Sequence, residues 1–163
     1  MSDIRAEIVN ELYQDPCSYR NTINYVAKNS FRYGGYGFYP HTPDDAAKEF
    51  LNIYDTATYD SDRNLWHFFI SFSTNTDKYY LLSLANQIAF CFAPLYQIFY
   101  GLHTKTGHYH IHFIVNAYSY RPNTPPLDMS TMQTYMNQVK SFLSSQLHIN
   151  DITLQTRKKG SNV

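Results

Sequence analysis

A chain of 163 residues, 44% of them hydrophobic, is enough for one domain with its own core and hardly enough for two. No run approaches the roughly 18 apolar residues of a membrane span, and the N-terminus has no basic-then-apolar leader. Cys17 and Cys91 are too few and too far apart for a disulfide scaffold or a cysteine zinc site, so the expected location is the cytoplasm. Lys and Arg (13) balance Asp and Glu (13), which weighs against the basic surface of most nucleic-acid binders. The balance is uneven along the chain: acids gather from Asp44 to Asp62, and the tail Arg157-Lys158-Lys159 is basic.

From Tyr19 to Ser30, Tyr19, Ile23, Val26 and Ala27 share one face at helical spacing. A second helix is predicted over 44–58 from Ala46, Ala47, Phe50, Leu51 and Tyr54, with Pro43 suited to its first turn. Leu65 to Ser73 alternates, with Trp66, Phe68, Ile70 and Phe72 on one side and His67, Phe69, Ser71 and Ser73 on the other: a strand. Leu81, Leu84, Ala85, Ile88 and Phe92 predict a helix over 78–92, stopped by Pro94. Strands at 96–103 and 109–117 flank the turn Thr104-Lys105-Thr106-Gly107 and form a hairpin. A proline-marked loop leads to a helix over 129–147, and a short strand at 152–154 closes the order. The fold class that follows is α+β: a single domain over 1–163, with a central antiparallel sheet and helices packed on it in two layers.

Four of the seven histidines fall in LHTKTGHYHIHFIVN. In the second hairpin strand, His110, His112, Ile114 and Asn116 point one way, and Ile111, Phe113, Val115 and Ala117 point to the core. His103 ends the preceding strand, and the hairpin folds it back beside His110. Three imidazoles converging from two strands suit a divalent metal with positions left open for substrate. His108 has the parity to compete as a ligand, but it sits in the turn.

The spacing of His103, His110, His112 and Asn116 resembles the metal motif of relaxases, the mobilisation nucleases of the HUH endonuclease superfamily. Two further segments resemble the family's other motifs, in its order: Asn24-Tyr25-Val26 its nucleophile motif, and His67-Phe68-Phe69-Ile70-Ser71-Phe72 its second motif. The resemblance covers roughly residues 20 to 117. It implies a two-layer relaxase fold; the expected absence of the long helicase or primase region that many relaxases carry is a departure, of a naturally minimal relaxase or an excised domain. It also implies a divalent ion (Mn, Mg or another transition metal) on the three histidines, and Tyr25 as nucleophile forming a phosphotyrosine. Ser71 would hold DNA near the cut, and Asn116 would orient a ligand or touch DNA. The partner implied is single-stranded DNA at an origin of transfer, with relaxosome accessory proteins, on a plasmid or integrative element. Lys105 departs from the family, which commonly has an acidic residue two positions after the first histidine.

With 16 tyrosines, the nucleophile has to be argued for. Tyr19 lies in the apolar stripe, whereas Tyr25 stands about 200° from Ile23 around the helix, off the core face. Tyr13, Tyr33 and Tyr36 lie in less periodic surroundings. Rolling-circle initiators share the chemistry but usually place the histidine pair before the tyrosine helix, the reverse of the order here. A catalytically inactive DNA-binding accessory protein is the alternative that neutral charge and Lys105 favour. A small-molecule metallohydrolase lacks an acidic base beside the histidines.

Overall fold

Local chemistry sets the helix starts. Thr42 accepts a hydrogen bond from the Asp45 amide at 3.1 Å, Asp77 from that of Tyr80 at 3.0 Å, and Asp128 from that of Thr131 at 2.8 Å. Each satisfies an amide that the first turn leaves without a partner. A computed structural model describes residues 4–39, 42–72 and 76–158. Their elements in chain order are β1 (Ile4–Asn10), α1 (Ser18–Lys28), β2 (Arg32–Tyr36), α2 (Pro43–Thr56), β3 (Leu65–Phe72), α3 (Lys78–Phe92), β4 (Ile98–His103), β5 (Tyr109–Asn116), α4 (Met129–Leu147) and β6 (Thr153–Lys158). The expected strand position Ser73 and the tail residue Lys159 lie outside the described residues.

The six strands form one sheet in the order β2-β4-β5-β3-β1-β6, antiparallel except where β6 runs parallel to β1. The α+β class is as the sequence predicts, and the histidine hairpin β4–β5 lies inside the sheet. Alternation sorts the side chains as expected: Trp66, Phe68, Ile70, Ile111, Phe113 and Val115 enter the larger core with Leu84 and Ile88 of α3 and Met136 and Val139 of α4. The opposite face carries a second, smaller core. There Tyr19, Ile23 and Val26 of α1 and Phe50 of α2 pack on Phe69, Phe99 and Ile114. The expected two-layer packing thus gains a partial third layer, because residues such as Ile114 and Phe99 make this face too apolar to leave wet.

Two strands escape the sequence reading. β1 is paired on both sides and buried on both faces from Ala6 to Val9, and Glu7 interrupts its apolar run. That carboxylate is almost wholly buried, yet it accepts from the Arg157 guanidinium at 2.9 Å and from the Gln155 amide. Burying a charge is tolerable only with such partners. β2 reads RYGGY, whose two glycines give no strand signal; it is one of the two edge strands, held by its pairing with β4.

Candidate active site

The sheet register arranges the candidate residues in rows across the face that α1 partly covers. One row runs His103, His110, Ser71, Arg5, Thr153 over β4, β5, β3, β1 and β6. The next runs Gly101, His112, Phe69, Glu7, Gln155. A third brings Phe99 and Ile114 beside His67. The hairpin therefore sets His103 directly opposite His110, as the spacing predicts.

α1 lies over this lattice because Gly101 leaves room for it. A Cβ at Gly101 would stand 2.8 Å from Val26 Cγ1 and 3.2 Å from the Val26 carbonyl oxygen. That close seating lets the Val26 carbonyl accept from His103 Nε2 at 2.9 Å. One residue earlier in the helix, the Tyr25 ring stands edge-on to two imidazoles, with centroids 6.1 Å from His103 and 6.2 Å from His112. Tyr25 is 53% exposed, as its place off the apolar stripe requires. The other tyrosines weighed as candidates are otherwise placed. Tyr19 is buried in the second core, Tyr13 is buried against His67, Tyr33 stacks on Phe99, and Tyr36 packs edge-on to Phe90.

The three histidines are neighbours, but they do not converge on one point as the sequence implies. His103 and His112 have centroids 4.3 Å apart, His110 and His112 6.2 Å. Among the described residues, no group of three or more His, Cys, Asp or Glu side chains is arranged to hold a metal ion. The physical reason is local: His103 turns Nε2 to the helix carbonyl, and His110 stands at the wetter end of β5.

The donors nonetheless have the right chemistry. Burial holds the His103 imidazole below its ordinary pKa, against the pull of the Val26 carbonyl. It does the same to His110, helped by the neighbouring His103 and His108. His112, the deepest, is lowered furthest, by burial and then by His67, His103 and His110. Rings that resist protonation keep the lone pairs a cation needs. In donor set the trio fits a divalent ion; in position it is not gathered, with His103 Nε2 turned to Val26 and His110 standing apart at the wetter end of β5.

Ser71 stands next to His110 on the part of the face that the helices leave open, half-buried. Asn116 is placed otherwise than expected. It is fully buried, and its amide donates to the Phe50 carbonyl at 3.1 Å and to Gln97 Oε1 at 2.8 Å. Its oxygen accepts from the Tyr118 amide at 3.1 Å and lies 2.9 Å from the Tyr19 hydroxyl. An amide so engaged has nothing left for DNA. Asn116 instead ties α1 and α2 to the sheet, and shared parity with His112 could not distinguish the two roles.

Sequence reasoning also missed His67. Its Nε2 lies 2.9 Å from His112 Nδ1, and its Nδ1 lies 3.3 Å from the Tyr13 hydroxyl. The signal was present in the alternation, which puts His67 on the histidine face. In the basic tail, Arg157 is paired with buried Glu7. Lys105 lies exposed in the hairpin turn, outside the rows of the lattice.

No curated protein and no solved structure matches the chain. A family model does: that of the relaxase, MobA/VirD2-like nuclease domain, over residues 23–140, a span that holds Tyr25, His67, Ser71 and the histidine hairpin. On that match, which covers most of the chain, the protein belongs to the relaxase family of DNA-nicking nuclease domains.

Proposed function

We propose that this domain cuts one strand of DNA at an origin of transfer by nucleophilic attack of Tyr25, opening conjugative transfer or mobilisation of a plasmid or integrative element. The observation that carries the reading is the placement of an exposed tyrosine against His103 and His112 on the family's motif order. In the reaction the Tyr25 phenolic oxygen forms a bond to phosphorus and the bond to the 3′-oxygen breaks. The phenol gives up one proton and the departing 3′-oxygen takes one up, so the step is balanced. A phenolate is a better leaving group than an alkoxide, so the cut can be resealed when a 3′-hydroxyl attacks in return.

In this reading His103, His110 and His112 hold a divalent ion, Mn, Mg or another transition metal, which when bound draws charge from a non-bridging oxygen of the scissile phosphate. Ser71, beside His110, offers its hydroxyl to a phosphate oxygen. The strand has to be single or locally melted, since a stacked duplex resists bending its phosphate into the face under α1. We place the activity in the cytoplasm; no described helix is long and apolar enough to cross a membrane.

A second reading, a DNA-binding accessory protein without nicking activity, is favoured by the unconverged histidines and by Lys105 at the family's acidic position. Incubating the protein with labelled single-stranded DNA spanning candidate origins, with Mn2+ or with chelator, separates the two. Metal-dependent cutting with a protein-linked fragment supports the nuclease. Retention of intact DNA under every condition supports the accessory role.

A further inference from the structure

His112 is held between aromatic rings, with its Nδ1 toward His67. Phe69 stacks on it at 5.3 Å with 29° between the planes, and the Tyr25 ring stands edge-on at 6.2 Å. His112, His67 and Tyr13 are all nearly buried and are joined in a line, His112 Nδ1 to His67 Nε2 at 2.9 Å and His67 Nδ1 to the Tyr13 hydroxyl at 3.3 Å. Tyr13 reaches this line from a left-handed backbone conformation, φ 50°, at the turn after β1. A bulky residue adopts that region only at a cost the surroundings must offset.

The line can be protonated in two ways. If Tyr13 donates to His67, then His67 must donate to His112, and the far nitrogen of His112, Nε2, carries a hydrogen and cannot bind a cation. If His112 donates from Nδ1 to His67, then His67 donates from Nδ1 to the Tyr13 oxygen, and His112 Nε2 keeps its lone pair. We infer that the second arrangement holds and that His67 is a positioning residue: it takes the Nδ1 hydrogen of His112 and so presents Nε2 as a ligand. It thereby supplies from β3 the acceptor that a carboxylate provides to many metal-bound histidines. The inference rests on the proposed metal role of His112, but the tautomer exists with or without the ion.

Two measurements on the full chain test it. Long-range nitrogen–proton NMR of the metal-free protein reads which His112 nitrogen carries the hydrogen; the expected site is Nδ1. Titration with Mn2+ and Co2+ then compares the wild type with His67→Phe, which keeps a ring but no acceptor, and His67→Gln, whose amide oxygen can accept. Affinity should fall about 10- to 100-fold in His67→Phe and largely return in His67→Gln. A hydrogen on His112 Nε2 in the wild type overturns the inference, as does undiminished affinity in a folded His67→Phe. Should His67→Phe not fold, the wild-type tautomer and the His67→Gln affinity decide. A wild type that binds neither ion defeats the metal reading, and the tautomer still decides the role of His67.

Discussion

At the scale of single residues, the three lowered imidazoles make a signed prediction. An unfolded chain protonates its histidines near pH 6.5, while burial keeps His103, His110 and His112 neutral below that point in the folded one. The unfolded state therefore binds more protons as pH falls through about 6.5, and stability is lost in that window and not above it. The denaturant midpoint of the metal-free protein should drop between pH 7 and pH 5.5, and His112→Phe should flatten the drop. A midpoint level across that range would mean the rings are not held neutral. Protons and cation compete for the same lone pairs, so metal affinity should weaken in the same direction. Replacing both His110 and His112 with Ala should abolish stoichiometric binding, read by metal content of the purified protein; retained metal would place the site elsewhere.

Much of this chemistry was legible in the sequence because a strand's two-residue period fixes which side chains share a face. That rule put His110 and His112 together, and the helical period put Tyr25 off the apolar stripe. It could not separate Asn116 from them: the same face is open at His110 and sealed by α1 and α2 at Asn116, and period alone carries no depth. His67 was on the same face by the same rule, but its partnership with His112 arises only from the pairing of β3 with β5.

At the scale of elements, α1 is the part whose seating matters most, since it carries Tyr25 and gives its Val26 carbonyl to His103. Besides that bond and its apolar packing, α1 is held down by the backbone approach over Gly101 and by the Tyr19 hydroxyl on Asn116 and the Asn64 carbonyl. In Gly101→Val the new side chain meets Val26 and Ser30 and the helix must lift. A displacement on the order of 1 Å at a reacting group costs about 100-fold in rate. The expected result is a folded protein that forms the DNA adduct at least tenfold more slowly; a rate unchanged from wild type would show that α1 need not sit this close. Asn116→Ala leaves buried partners on α1, on α2, at Gln97 just before β4 and in the loop after β5 without their bonds and should cost about 3 kcal/mol, measured by denaturant unfolding. A loss under half a kcal/mol would show that these bonds are not what Asn116 is there for and would reopen its expected role of orienting a ligand or touching DNA. The helices, β3 and the hairpin were readable from periodicity and caps. β1 and β2 were not, since one is buried on both faces around a paired glutamate and the other owes its existence to β4 rather than to RYGGY itself.

At the scale of the whole molecule, a chain of zero formal charge cannot attract DNA by net field, so any grip has to be local. Arg157 of the basic tail is taken up by Glu7, while Arg5 lies exposed in the row of Ser71 and His110. Few phosphate contacts give a shallow salt dependence: the logarithm of affinity for single-stranded DNA should fall with the logarithm of salt at a slope of about −0.7 per contact. A steep slope, near that of strongly basic DNA binders, would contradict this distribution of charge. The central claim, however, is covalent. Intact mass and peptide mapping after incubation with single-stranded DNA spanning candidate origins and Mn2+ should find one fragment joined through its 5′-phosphate to Tyr25, with a free 3′-hydroxyl on the other. In Tyr25→Phe, folded and with its metal content intact, that adduct should be gone. Cutting by the wild type without any adduct, or an adduct that persists in Tyr25→Phe, would contradict the account.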